Sequence, residues 1–309
     1  MRDNICIALS TRTQLEHDVT GGVVPEVAAR SHANAIFPCI DDALSEAQIT
    51  LQDIDSIACT EKPGLLPSLL TGMTVAKTLA LALEKPLIWV DHIEAHMFAN
   101  LLERDISDIV FPSVVLTVSG GHTEIYLWKS LFEFELLGQT RDDAAGEAYD
   151  KVAKMMGLGF PGGAKVAKLA DSFRHSASVN EIERYRKLFP RSFLESDSLD
   201  FSFSGLKSAV KRYIDSEFGK QDSHEAIAFA FEEAVVDVLI SKLFQASSEF
   251  GNHQIYLAGG VSANIYLKEQ IEIHAKKTGI QFFAPMKLVY SQDNAAMVGM
   301  YAYMKVKMN

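Results

Sequence analysis

Two hydrophobic periods alternate along the 309-residue chain. Stretches with apolar residues every three to four positions predict amphipathic helices, and short apolar runs bounded by Pro, Gly or Asp predict buried strands. The first helix is expected from 25 to about 45, with Pro25 in a first-turn position that has no use for an N–H. A strand over 54–60 follows, then the Pro63-Gly64 turn, a helix over 68–83, a short strand over 86–90 and a helix from 92 to about 102. Strands over 112–118 and 123–128 flank Ser119-Gly120-Gly121. Helices are expected over 145–156 and onward from the Phe160-Pro161-Gly162-Gly163 turn. The segment 174–200 reads as polar, basic and irregular. Helices over 204–217 and 224–250 precede a strand over 254–258, the Gly259-Gly260 turn, a helix over 261–277 and a last helix over 294–304.

This alternation makes the chain an α/β protein, and its length suggests two domains. A strand leading into paired glycines occurs once in each half, at Gly120-Gly121 and at Gly259-Gly260. That points to two related α/β domains around a central cleft, with no Gly/Ser-rich linker between them. The expected boundaries are 1–108 plus 290–309 for the N-terminal lobe and 109–289 for the C-terminal lobe.

Charge changes the picture of possible partners. There are 29 Lys plus Arg against 40 Asp plus Glu, a formal net charge of −11. A free-standing nucleic-acid binder is normally basic, because phosphate neutralisation supplies most of its affinity. Any nucleic acid must therefore meet a local basic surface or one supplied by a partner. The basic runs are Arg184, Arg186, Lys187 and Arg191, then Lys207, Lys211 and Arg212; such runs more commonly mean a solvated surface. Three widely spaced cysteines, Cys6, Cys39 and Cys59, suit a reducing compartment. The longest apolar stretch, 65–90, is interrupted by Lys77, Glu84 and Lys85, and the expected location is cytoplasmic.

Five segments could carry chemistry. In Asp91-His92-Ile93-Glu94-Ala95-His96 the two histidines stand at i and i+4 on one helical face, so both imidazoles can reach one metal ion; they read equally as two polar side chains on a solvated face. A zinc peptidase needs its glutamate directly after the first histidine. Glu94 lies two residues on, about 200° around the helix, which speaks against a peptidase. Val118-Ser119-Gly120-Gly121-His122-Thr123-Glu124 offers backbone N–H groups that an anion could approach closely; it also reads as a hairpin turn. Gly259-Gly260-Val261-Ser262-Ala263-Asn264 opens a helix and is either a phosphate or ribose site or a tight junction. In the run from Asp142 to Lys151, Asp143 suits a helix cap, while Asp150 and Lys151 lie too deep for capping. Asp293 is either an N-cap or a third, oxygen ligand to the metal.

Taken in order, these stretches resemble one family, the tRNA adenosine threonylcarbamoyltransferases of the TsaD type, once described as O-sialoglycoprotein endopeptidases. The carrying residues are Gly21-Gly22-Val23-Val24-Pro25-Glu26, Asp91 to His96, Ser119 to Glu124, Asp142 to Lys151 and Phe160 to Gly163. Phe201-Ser202-Phe203-Ser204-Gly205-Leu206-Lys207, Gly259 to Asn264 and Asp293-Asn294 complete the set. The resemblance implies the actin-like (sugar kinase/Hsp70-like) ATPase fold. It implies an acyltransferase that passes the threonylcarbamoyl group of threonylcarbamoyl-adenylate to N6 of the adenosine beside the anticodon, in tRNAs reading codons that begin with A. It implies one divalent metal ion, iron or zinc, on His92, His96 and Asp293. Val118, Ser119, Gly120, Gly121, His122, Asp150, Gly163 and Asn264 match substrate-binding positions, and no residue is assigned as a nucleophile. The implied partners are tRNA, a smaller actin-like paralogue and a small P-loop ATPase, with no membrane.

The chain departs from that pattern in places. Lys62, Pro67, Ala95 and Ala295 stand where glycines are usual, and Asp91 stands for an asparagine. The N-terminal strand and first phosphate loop usual in the family are not found, so the expectation is either a start codon placed too late or a member that has lost that strand and part of its phosphate site. That departure favours the rival expectation of a non-catalytic scaffold in the same complex. The metal triad and both glycine turns favour the transferase; a small-molecule kinase of the same superfamily needs a catalytic acid on the first loop and would not explain the paired histidines.

Overall fold

The computed structural model describes residues 1–12, 24–194, 197–251 and 253–308; Gly21, Gly22 and Val23 of the family-like stretches lie outside them. The chain divides into two compact units, Met1–Asp108 with Pro285–Asn309, and Ile109–Ala284.

The first unit begins with helix α1, Pro25–Ala47, opened by proline as expected and closed by Gln48 in the left-handed conformation. The expected strand over 54–60 starts later. A turn of 3-10 helix at Leu51–Asp53 has a Thr50–Asp53 capping box, and strand β1 runs Ile57–Lys62. Helix α2, Leu66–Leu83, leads to strand β2, Leu87–Asp91, which pairs parallel with β1. Helix α3, His92–Phe98, is shorter than predicted, because the chain tightens into 3-10 geometry at Ala99–Leu101.

α2 is long and apolar enough to cross a membrane by length and composition. It packs against α1 and β1 on one side and exposes Leu66, Leu70 and Leu81.

The second unit is built on a five-stranded sheet whose strands, from one edge to the other, are 133–139, 123–130, 113–118, 254–258 and 281–283. Strands β3, Ser113–Val118, and β4, Thr123–Ser130, form the hairpin that the sequence predicts. Strand β5, Glu133–Gln139, extends the antiparallel edge. Helices α4, Ala145–Met155, and α5, Gly163–Ser176, follow. The segment expected to be irregular instead holds helix α6, Val179–Arg186, set by a reciprocal Ser178–Glu181 capping box. Helices α7, Ser204–Asp215, and α8, His224–Glu249, lead to strand β6, Gln254–Ala258. β6 pairs parallel with β3, and both are buried along their whole length, so each reads as a continuous apolar run. The helix expected over 261–277 begins as a 3-10 turn, Gly260–Ala263, and continues as α9, Ile265–Thr278. Strand β7, Gln281–Phe283, pairs parallel with β6. α8 is apolar on nearly every face and centres the core with Phe229, Phe231 and Leu239. Each such side chain contributes roughly 1.5–3 kcal/mol by burial.

The chain then returns to the first unit with the short helix α10, Leu288–Ser291, and helix α11, Ala295–Lys307. α11 packs on α3, β1 and β2, with the rings of Phe98 and Tyr301 4.8 Å apart.

Candidate metal centre and glycine turns

The start of α3 is fixed by Asp91, whose Oδ1 accepts from the amides of Ile93 (2.8 Å) and Glu94 (3.3 Å). A carboxylate at that position satisfies two orphan amides and suits the helix dipole. It places His92 in the first turn and His96 one turn later, with ring centroids 4.6 Å apart. Packing of α11 on α3 brings in the third group. Asp293 Oδ1 lies 3.5 Å from His92 Nε2 and 3.1 Å from His96 Nε2, and one ligand atom from each residue falls within 4.8 Å of the others. Asn294, not Asp293, caps α11, its Oδ1 accepting from the Met297 amide at 3.0 Å. Helix capping therefore does not account for Asp293.

These residues fit a metal ion. His96 is fully buried; its Nδ1 has no hydrogen-bond partner and its Nε2 faces only the Asp293 carboxylate at 3.1 Å, a buried imidazole otherwise short of partners. The two imidazoles hold the Asp293 carboxyl well below the usual carboxylate range, so a charged oxygen is available beside two nitrogen donors. That N,N,O set suits iron or zinc. Glu94 points elsewhere: burial raises its carboxyl, opposed by a hydrogen bond with Tyr301. This agrees with the geometry that disfavours a peptidase.

The second unit holds every other predicted site residue. Gly120 and Gly121 form the β3–β4 turn, closed by the Ser119 amide donating to the His122 carbonyl at 2.8 Å and by Ser119 Oγ accepting from the His122 amide at 3.1 Å. A β-carbon on either glycine would meet nothing within 4 Å. The fold thus leaves open space where these two residues lack side chains. Gly146 and Gly259 differ. A β-carbon on Gly146 would lie 2.5 Å from the Ser119 carbonyl oxygen, and one on Gly259 2.4 Å from that of Val118. The two glycine turns thus adjoin at the carboxyl ends of neighbouring parallel strands, where α/β sheets bind ligands.

Asp150 Oδ1 accepts from the Gly162 amide at 2.7 Å, which ties α4 to the turn that opens α5 at Gly163. Asn264 caps α9, accepting from the Leu267 amide at 2.9 Å. Asp143 does not cap α4; Ala144 holds that position, and Asp143 instead binds Lys151 (2.6 Å) and Lys207 (2.7 Å). Asp142 clasps the start of α7, accepting from the hydroxyls of Ser202 (2.5 Å) and Ser204 (2.7 Å) and from the Phe203 amide (2.9 Å). This explains why the Asp142 and Phe201–Lys207 stretches occur together. Sequence reasoning missed Glu232 and Arg174, whose signals were an acidic pair inside the apolar run of α8 and an arginine in the last turn of α5.

These features define an α/β chain with the actin-like ATPase fold and a candidate metal centre. In fold the chain is similar to HypF, solved in a phosphate- and nucleotide-bound form (TM-score 0.53, 16% identity, 89% of this chain and 42% of that one). It is also similar to component A of the (R)-2-hydroxyglutaryl-CoA dehydratase of Acidaminococcus fermentans (TM-score 0.50, 14% identity, 87% and 84%). The model of the tRNA N6-adenosine threonylcarbamoyltransferase (TsaD) family matches residues 6–300. Proteins carrying that name from Clostridium botulinum (strain 657 / Type Ba4) and Sulfurihydrogenibium sp. (strain YO3AOP1) are 45% and 46% identical, over 93% and 96% of this chain and 82% of each relative. One from Kosmotoga olearia is 44% identical over 94% of this chain and 84% of its own length. The chain belongs to this family of transferases.

Proposed function

We propose that the chain transfers the threonylcarbamoyl group from threonylcarbamoyl-adenylate to N6 of the adenosine beside the anticodon in tRNAs reading codons that begin with A. The observation that carries this reading is the convergence of His92, His96 and Asp293 in a chain that matches the family over residues 6–300. In the reaction the N6 nitrogen bonds to the carbamoyl carbon and loses one proton. The bond from that carbon to the phosphate oxygen breaks, and AMP leaves with the electron pair. The donor is already activated, so no protein nucleophile is required, and holding donor and amine in attack geometry supplies much of the acceleration.

In the second unit, the turn formed by Val118, Ser119, Gly120, Gly121 and His122 receives the adenylate, with Asp150, Gly163 and Asn264 as further contacts. Support comes from the open space over Gly120 and Gly121 and from the adjoining Gly259 turn. In the first unit, His92, His96 and Asp293 hold one divalent ion, iron in this reading. When bound, such an ion supplies positive charge that polarises a carbonyl or steadies a phosphate. The buried His96, whose Nε2 meets no group but the Asp293 carboxylate, supports this assignment.

tRNA is held jointly with partners, a smaller actin-like paralogue and a small P-loop ATPase, in the cytoplasm. The net charge of −11 supports shared binding. So does the pairing of Arg184 with Asp222, Arg186 with Glu233 and Arg191 with Asp237, which leaves less of the first basic run for phosphates. The exposed leucines of α2 offer the paralogue an apolar face. The scaffold reading is not favoured, since the relatives are named as transferases and the three side chains proposed to hold the ion lie together.

The test combines purified chain, threonylcarbamoyl-adenylate, unmodified tRNA and the two partner proteins, and scores the modified nucleoside by mass. Product is expected with the wild-type chain and lost in His92→Ala/His96→Ala. No product from the wild-type mixture overturns the reading.

A further inference from the structure

The second unit contains a buried carboxylate that none of these roles uses. Glu232, on α8, is fully buried. Burial raises its carboxyl, opposed by hydrogen bonds from Asn264, Arg174 and Tyr149. Oε1 accepts from Asn264 Nδ2 at 2.8 Å and from the Tyr149 hydroxyl at 3.3 Å. Oε2 accepts from the Arg174 guanidinium at 3.0 Å. That guanidinium also reaches Glu233 at 3.3 Å, and its carbon lies 3.4 Å from the centre of the Tyr266 ring. Arg186 pairs with Glu233 at 2.9 Å, so two carboxylates face two guanidiniums.

The three donors to Glu232 are not scattered. Asn264 is itself a proposed adenylate contact. Tyr149 directly precedes Asp150 in α4. Arg174 lies in α5, the helix that Gly163 begins. One carboxylate therefore ties together the elements that carry three of the proposed contacts.

We propose that Glu232 is a positioning residue for the adenylate, acting by fixing the side-chain amide of Asn264. The inference rests on the assignment of Asn264 in the proposed function. An ionised carboxylate only accepts hydrogen bonds. The amino group of Asn264 must therefore face Glu232, and its oxygen must face the Leu267 amide that it caps. The remaining N–H of Asn264 and the second lone pair of its oxygen then keep one fixed arrangement for the nucleotide.

A glutamine at 232 cannot do this. It has one acceptor oxygen where Glu232 has two, and both Arg174 and Asn264 demand an acceptor. With the oxygen toward Arg174, an amino group faces the amino group of Asn264. Asn264 must then turn its amide over and give up the cap on Leu267. With the oxygen toward Asn264, an amino group faces the guanidinium. Removing the guanidinium resolves the conflict, because the glutamine is then free to turn its oxygen to Asn264.

The experiment measures AMP affinity of the full chain by calorimetry, and KM and kcat for threonylcarbamoyl-adenylate in the complete transfer mixture. E232Q is expected to weaken AMP binding and raise the donor KM by about tenfold, the scale of one charge-assisted hydrogen bond, while kcat changes little. E232Q/R174M is expected to recover most of the AMP affinity although it removes a second buried partner, which no merely structural role predicts. In an N264A background, E232Q should change AMP affinity less than about twofold, since coupled residues are not additive. AMP binding by E232Q equal to wild type, or an equal further loss in N264A, overturns the inference. Failure of E232Q/R174M to recover affinity also overturns it, and this variant serves if E232Q alone does not fold. A wild-type chain that neither binds AMP nor transfers the group overturns the functional reading along with it; a working wild type matched by E232Q overturns this inference alone.

Discussion

Gly259 approaches Val118 so closely that a β-carbon would lie 2.4 Å from the Val118 carbonyl oxygen, and its φ of +85° is one that L side chains rarely adopt. This contact sets the second glycine turn against the end of β3. A β-carbon on Gly120, two residues past Val118, would meet nothing within 4 Å. The two glycines therefore serve different ends. Gly259→Ala should lower stability by at least about 2 kcal/mol, from backbone strain and steric conflict together. Gly120→Ala should leave stability within about 0.5 kcal/mol of wild type yet weaken AMP binding. Denaturant melts and calorimetry on the two variants separate these outcomes; equal destabilisation would refute the division.

The metal set makes a second prediction through its exposed member. The Asp293 side chain is 76% exposed, whereas His96 is fully buried. Asp293→Asn should therefore keep the fold while lowering the metal content of the purified chain, measured by mass spectrometry of the digested protein. His96→Ala should lower metal content too, and in addition cost roughly 1–3 kcal/mol from the cavity it leaves. Metal retained at wild-type stoichiometry in both variants would remove the assignment.

Asp142 supplies a pH dependence. Partial burial pushes its carboxyl up, but the hydroxyls of Ser202 and Ser204 and the amides of Phe203 and Ser204 outweigh that and hold it below the ordinary value. A carboxyl depressed in the folded state contributes stability that is fully present above its unfolded pKa, about 3.9. The contribution is lost as pH falls through the lower, folded value. Asp142→Asn should thus cost about 1 kcal/mol at pH 7, a figure reduced for solvent exposure. The gap from wild type should close as pH drops below 4. Urea melts from pH 7 to pH 3 check the sign, and a gap that widens in acid contradicts the clasp.

The parts of the fold legible in the sequence are those where one physical signal dominates. The histidine pair was readable because i and i+4 share a helical face, and β3 and β6 because strands buried on both sides are continuously apolar. The exposed edge strand β5, with its mostly polar outward positions, carries too weak an alternation to find. α6 hid inside a basic run, although Ser178 and Glu181 held the capping-box signature. Asp293 and Asn294 are both good cap residues, and only packing of α11 on α3 separates their roles. Glu232 is the hardest case: its partners Asn264, Tyr149 and Arg174 come from three distant segments, so its environment exists only once the unit has folded.

Charge pairing divides the basic runs. Arg191 forms two bonds to Asp237, at 2.9 and 2.8 Å, and one to the Phe189 carbonyl at 2.7 Å, and its side chain is largely buried. Its charge is spent inside the second unit, joining the segment after α6 to α8. Lys211 and Arg212 lie on α7 and are both exposed. If the assembly binds tRNA through this unit, Lys211→Glu and Arg212→Glu should weaken binding and lower the slope of log affinity against log salt, by about one for each phosphate that is no longer neutralised. Arg191→Ala should leave that slope unchanged and instead cost about 1–2 kcal/mol of stability, because Asp237 Oδ2 loses two charge-assisted donors. Salt titrations of tRNA binding by the assembled complex, run beside thermal melts of each variant, decide the point. A slope that falls with Arg191→Ala but not with Lys211→Glu would reverse the assignment.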